Sequence, residues 1–170
     1  MSTHHQNPGV QHHHQQHTVQ RPSGKASYFG IAASILVLLG SFLPWSEVTV
    51  DGVTETVKAT EGDGLLTIGA SIVALILFVV GVAMRKPIVS ACATLPSLVA
   101  LVLVGMNVAD PERLPKAYIE NEGGLSSEEV EAFIGQLDIS TMPGVWIAVL
   151  GAVVAVACGA WAGMAAKRAA

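Results

Sequence analysis

The chain reads as an all-α membrane protein: a four-helix transmembrane bundle carrying a small extracytoplasmic β-hairpin and an amphipathic helix. Three observations predict this. Residues 65–84, LLTIGASIVALILFVVGVAM, run for twenty positions without a charge; at about 1.5 Å per residue they match the roughly 30 Å of hydrocarbon in a bilayer. Of the 170 residues 51% are hydrophobic and 13% charged, against roughly a quarter charged in soluble domains. All 13 acidic residues lie between Glu47 and Asp138, while both ends of the chain are basic or neutral. Membrane topology explains that segregation, and nucleic-acid binding does not.

Residues 1–27 are polar and low in complexity, with too few apolar side chains to bury a core, which predicts a disordered cytoplasmic tail. Its histidines His4, His5, His12, His13, His14 and His17 are candidate ligands for Zn²⁺ or Ni²⁺. No Cys or carboxylate joins them, so a metal would itself have to order the tail, and a solvated spacer is the plainer reading. The segment does not read as a signal peptide, because its apolar core ends in Ser41-Phe42-Leu43-Pro44-Trp45 where a small-residue cleavage site would be needed.

The membrane domain, residues 28–168, follows. The first span covers about 28–45, with Pro44 ending the helix and Trp45 expected at the depth of the interface. The first outer loop, 46–64, contains SEVTVDGVTETV, in which Asp51-Gly52 is a two-residue hairpin signal because both central positions of a type I′ turn need positive φ. Folding there pairs Val50 with Val53, Val48 with Glu55 and Ser46 with Val57, and sets Glu47 and Thr49 opposite Thr56 and Thr54. One face is mostly valine and needs a cover, since a lone hairpin is marginal in water.

The second span, 65–84, exits at Arg85 and Lys86, and Pro87 alone separates it from the third, 88–106, so the two form a tight antiparallel pair. Pro96 inside the third span predicts a kink with the freed backbone group served by a Thr94 or Ser97 hydroxyl, or a hinge. In the second outer loop, 107–142, Ser126 and Glu129 stand at capping-box spacing. Val130, Phe133, Ile134 and Leu137 then recur at i, i+3, i+4 and i+7, the period of an amphipathic helix. Glu128, Glu129 and Glu131 on the other side argue against binding to anionic lipid. The stripe is expected to cover the valine face of the hairpin. Val48, Val50, Val53, Val130, Phe133, Ile134 and Leu137 are the candidate outer interaction surface. The fourth span covers 143–165, with Trp146 near its entry and Lys167 and Arg168 beyond its end; Ala155, Gly159 and Gly163 form a row that permits close helix packing, within the bundle or across a dimer.

Arg21, Lys25, Arg85, Lys86, Lys167 and Arg168 fall on one side of this threading and Lys58, Arg113 and Lys116 on the other. The positive-inside rule therefore predicts a multi-pass plasma-membrane protein with both termini cytoplasmic. Cys92 and Cys158 fall in apolar spans nearer the cytoplasmic side and read as small buried residues, not as a disulfide.

The four spans contain no ionisable residue, which counts against proton relays and ion-coupled transport by this chain alone. The sequence contains no HExxH, GxSxG or GxxxxGK[ST], so no catalytic residue and no cofactor is assigned. Glu47, Glu61 and Asp63 lie near the outer ends of the first two spans and read as a solvated acidic rim or, more sharply, as a cation site.

Pro44-Trp45, the Val/Thr hairpin, Gly62-Asp63-Gly64-Leu65-Leu66-Thr67 entering the second span and Pro143-Gly144-Val145-Trp146 entering the fourth resemble small four-span membrane proteins of actinobacteria. The layout is also similar to the claudin type of four-helix bundle, but the first outer loop has no cysteine pair, so the claudin disulfide and a junction-forming role do not carry over. The resemblance implies an architecture and a bacterial plasma membrane, with no activity attached. The function expected is that of a non-enzymatic accessory or scaffolding subunit that sits in the lipid bilayer and contacts a membrane-protein partner or a second copy of itself. The alternatives are a subunit of an oligomeric transporter or pore, and a metal sensor using the histidine tail.

Overall fold

The computed structural model describes residues 24–50, 52–61, 64–123, 126–135 and 137–169. In chain order the elements are α1 (Lys25–Phe42), β1 (Pro44–Val50), β2 (Val53–Lys58), a 3₁₀ turn (Ala59–Glu61), α2 (Gly64–Ala83), α3 (Pro87–Cys92), α4 (Thr94–Ala109), α5 (Arg113–Gly123), α6 (Ser127–Ile134), β3 (Asp138–Thr141) and α7 (Pro143–Ala169). Four stretches, Lys25–Phe42, Gly64–Ala83, Pro87–Ala109 and Pro143–Arg168, are long and apolar enough to cross a membrane. They stand side by side, α1 between α7 and α2 and the α3–α4 pair between α2 and α7.

The interior of the bundle is set by residue size. A buried seam runs through Ser27, Gly30, Ser34, Val37 and Ser41 in α1 and through Gly64, Thr67, Ser71, Ala74, Phe78 and Gly81 in α2, with Ala33 and Gly40 of α1 and Gly144 and Gly151 of α7 buried beside it. The third span contributes Ser90, Ala93, Ser97, Ala100, Val104 and Asn107, and α7 Val145, Ala148, Ala152, Ala155, Gly159 and Ala162. Each series steps alternately by three and four, the 3.5-residue period of helices that wind around one another left-handedly. Small residues face inward, whereas Leu39, Leu66, Leu95, Leu98 and Leu150 are exposed on the outside. In water so broad an apolar exterior would aggregate; hydrocarbon is its proper solvent. On α7, Trp146 and Trp161 are both exposed and stand about 22 Å apart along the axis, with Tyr28 and Phe29 near the N-terminal end of α1 and Phe42 at its other end. These are the positions of interfacial aromatic rings.

Close approach is tightest between α1 and α7. A Cβ on Gly40 would fall 2.7 Å from the Ala148 nitrogen, and one on Gly151 would fall 2.9 Å from the Ala33 oxygen. Neither obstacle is a side chain that can turn away.

The third span is broken at Ala93. Pro96 has no N–H and its ring crowds the carbonyl four residues back, so the break falls one turn earlier and puts Pro96 in the first turn of α4, where its missing donor costs nothing. The Thr94 hydroxyl donates at 2.7 Å to the Ala91 carbonyl and not to that of Cys92, the one Pro96 leaves without its N–H, and the Ser97 hydroxyl has no partner, so neither serves the freed group as expected. At the α2–α3 turn Arg85 adopts φ +54°, with the Arg85 N–H on the Val82 carbonyl and the Lys86 N–H on the Gly81 carbonyl, both at 3.1 Å. This is a Schellman closure with arginine where glycine is usual.

All remaining elements lie at one end of the bundle and form a cap. β1 and β2 pair in the register expected from the sequence, through Gly52 at φ +82°. The hairpin is not alone: β3 adds to the other edge of β1, Ser46 opposite Thr141 and Thr49 opposite Asp138, giving the order β2-β1-β3. Two expectations are corrected here. Trp45 is not turned outward as an interfacial ring would be; it is 1% exposed, and its indole N–H donates at 2.8 Å to the Gly40 carbonyl, which also accepts the Leu43 N–H at 3.3 Å where α1 stops. The cover of the sheet is α5, whose Leu114 and Tyr118 pack with Val48, Val57 and Trp45; α6 packs on α5. The capping box forms as read: Glu129 accepts from the Ser126 N–H at 3.0 Å and from its hydroxyl at 2.8 Å, which holds the Glu129 carboxyl below the usual range.

Gly40→Ala is expected to lower the stability of the bundle by about 1–3 kcal/mol through overpacking. Gly105→Ala, on a face with nothing within 4 Å, is expected to be neutral or to add up to about 1 kcal/mol of helix propensity. Thermal midpoints of the two variants in one detergent check the pair.

Candidate functional site

The structure sorts the sequence-derived candidates into three groups. The tail histidines His4, His5, His12, His13, His14 and His17 lie outside the described residues, as do Gly62 and Asp63. Among the described residues no three His, Cys, Asp or Glu side chains gather in a way that could hold a metal ion. The small-residue row of α7 is turned into the chain's own bundle. Ala155 is 2% exposed, and a Cβ on Gly159 would fall 3.0 Å from the Thr94 nitrogen. A Cβ on Gly163 would meet the Ala91 Cβ at 3.4 Å. Glycine at 159 thus lets α7 pass close to the break in the third span. The expected burial of the two cysteines is corrected: Cys92 is exposed on the outside of that span and Cys158 is half-buried, both as free thiols.

The seven residues of the candidate outer surface do not form one patch. Val130 and Ile134 are interior, Val48 is half-buried against α5, Leu137 is half-buried, and Val50 is placed by register opposite Val53. Val53 and Phe133 are exposed. Of the apolar stripe of α6 only Val130 and Ile134 are buried, as α6 packs against α5, and its glutamates stay outside with Phe133.

The cap presents a different surface instead. On the sheet face away from α5, the register sets Glu47, Thr49, Thr54, Thr56, Asp138 and Ser140 side by side, with the Thr49 and Thr54 hydroxyls 3.3 Å apart. Thr54, Glu55 and Thr56 are exposed, and among the described strands β2 is paired on one edge only. Asp110, Glu112, Glu120, Glu128, Glu129 and Glu131 extend the negative field over the helices. Within it Lys116 pairs with Glu112 at 3.0 Å, and that bond raises the lysine above its ordinary pKa. The cap is therefore an acidic, hydroxyl-rich platform with an open strand edge. Sequence reasoning missed β3 and α5, which complete it; Leu114, Ala117 and Tyr118 at i, i+3 and i+4 were the available signal.

The second polar feature is inside the bundle. Ser34, Ser41 and Ser71 donate to the carbonyls four residues back, at 2.9, 2.8 and 2.7 Å, and so leave the helices self-contained. Ser27 and Ser90 bond across helices at 2.8 Å. Thr67 Oγ1, Ser97 Oγ and Asn107 Oδ1 are buried without a partner. The gap bounded by Ser34, Ser71, Ser97 and Ala155 leaves no room for a water molecule.

The class of protein follows from this geometry: a multi-pass membrane protein whose small-residue bundle is closed and whose polar chemistry lies in a cap at one end. No protein family, curated protein or solved structure matches the chain, so the expected likeness to claudins and to actinobacterial four-span proteins draws no support from relatives.

Ser27→Ala is expected to cost about 0.6–1.7 kcal/mol, the range for interhelical bonds in lipid. Ser97→Ala breaks no bond and is expected to leave stability unchanged or raised, because an unpaired buried hydroxyl is itself unfavourable. Denaturation of both variants in mixed detergent, with Ser90→Ala to close a double-mutant cycle, measures the difference.

Proposed function

We propose that the chain is a non-enzymatic accessory or scaffolding protein of the plasma membrane, in which the bundle anchors the acidic cap and the cap contacts a basic surface of an envelope protein. The observation that carries this is the division of labour between the two parts. The bundle interior is filled and uncharged, and the α7 row at Ala155 and Gly159 is spent inside the chain. The exposed carboxylates and the open β2 edge stand together on the cap. Extended segments recognise such edges through main-chain hydrogen bonds, and a field of one sign selects a partner of the other. Lys25, Arg85, Lys86, Lys167 and Arg168 lie at the far end, so the positive-inside rule puts that end in the cytoplasm and the cap outside.

A photo-crosslinking residue at Thr54 in the native membrane is expected to capture a discrete protein partner, and the paired substitutions Glu55→Lys and Asp138→Lys to reduce that adduct about tenfold. Capture only from a lipid-facing position such as Leu98 would overturn the reading. In a Cys92→Ser, Cys158→Ser background, a cysteine at Thr54 is expected to react with an impermeant maleimide on intact cells; reaction at Ala166 in its place would reverse the orientation.

A transport role in an oligomer is the second reading. The broken third span and the unpaired Thr67 and Ser97 hydroxyls and Asn107 Oδ1 favour it, since irregular backbone and buried polar groups line many transport paths. Flux through proteoliposomes of the purified chain would decide for it.

A further inference from the structure

At the end of the bundle opposite the cap, three helix ends bring cations to one level. The Ser27 hydroxyl bonds to that of Ser90. Lys25 lies two residues before Ser27 and Lys86 four before Ser90, so both sit just beyond that bond, within about one helical turn. Gly163 of α7 packs against Ala91 of α3. The two helices run in opposite directions, and Lys167, one turn past Gly163, therefore comes level with Pro87, one turn before Ala91. Lys25, Arg85, Lys86, Lys167 and Arg168 are all exposed.

Among the described residues no acidic side chain lies at this end. All 13 acids lie between Glu47 and Asp138 in the sequence, and those among the described residues lie on the elements of the cap and its approaches. α1 alone, at 18 residues, separates the two ends by about 27 Å, against a screening length of about 8 Å at physiological salt. The α2–α3 turn also keeps a cation in an unfavourable backbone state: Arg85 sits at φ +54°, where glycine would be less strained. Immediately beside the cations, Tyr28, Met84, Ile88 and Trp161 are exposed apolar side chains at the edge of the hydrocarbon zone. The charges thus lie at headgroup depth with an acyl-chain surface next to them.

We infer that this end of the bundle is a binding site for anionic phospholipid, its phosphate held between the α2–α3 turn and the end of α7. Arg85 and Arg168 supply the forked N–H donors that suit a phosphodiester, and Lys86, Lys167 and Lys25 supply point charges. A lipid, and not a free phosphate, is the ligand because the apolar rim has a use only for attached chains. The three helix ends would form this site whichever side of the membrane the cap faces.

The test uses the purified full chain in a neutral detergent, with phosphatidylglycerol, phosphatidylcholine and inorganic phosphate as probes, read by lipid adducts in native mass spectrometry and by thermal midpoint. Phosphatidylglycerol is expected to be retained and to raise the midpoint, with neither effect from phosphatidylcholine or phosphate. Combining Arg85→Gln, Lys86→Gln, Lys167→Gln and Arg168→Gln is expected to reduce retention about tenfold or more, and Lys116→Gln in the cap to leave it unchanged. Should the fourfold variant misfold, retention by the unaltered chain is expected to fall as salt rises from low to high. Equal retention of the two lipids, retention insensitive to both the substitutions and salt, or stabilisation by inorganic phosphate alone would overturn the site.

Discussion

Helices in lipid have no hydrophobic reason to associate, because the surrounding chains are as apolar as leucine. What draws the four spans together is contact between backbones, which small residues at most inward positions permit; Phe78 is the large exception, and its ring lies over Gly30. The alternating steps of three and four through Gly30, Ser34 and Val37, or through Ala148, Ala152 and Ala155, place such residues inward. Several serines inside the bundle are consistent with it. A serine is barely larger than alanine, and Ser34, Ser41 and Ser71 return their hydroxyl protons to their own helices, so they permit close approach without demanding a partner.

The same seam seats the cap. One apolar cluster runs from Val37, Val104 and Ala148 of the bundle into Trp45, Val57, Ala59 and Leu114 of the cap. Trp45 is the joint: its ring fills that cluster while its N–H closes the end of α1. Gly144 lies directly against Pro44 and Gly64 against Ala59, and the Ser46 hydroxyl reaches the Pro111 carbonyl at 3.4 Å. The sheet is therefore bound to the bundle end through backbone-level contacts.

Much of this could be read from the residues, and the failures have physical causes. The spans were legible because a twenty-residue uncharged run has few other uses, and the hairpin register because Asp51-Gly52 fixes the turn and alternation fixes the faces. The capping box was legible from two residues. Trp45 was misplaced because a tryptophan after a span end has two sinks, the interface and the bundle end, and only the Gly40 carbonyl decides between them. β3 is four residues long and α5 begins with Pro115 in its first turn; both form because β1 and Val57 offer them a surface, which is tertiary information. The stripe on α6 was read correctly as apolar at Val130 and Ile134, but its neighbour could not be known before α5 was. Likewise the Ala155-Gly159-Gly163 row announces close packing without naming the helix it meets.

That last point bears the central claim, that the small-residue faces are used within one chain. Ala91→Cys with Gly163→Cys, in a Cys92→Ser, Cys158→Ser background, places two thiols on carbons that stand 3.4 Å apart, close to the separation a disulfide spans. Oxidation in native membranes should give an intrachain bond in a species that migrates as a monomer. A crosslink found only between two chains would contradict the account.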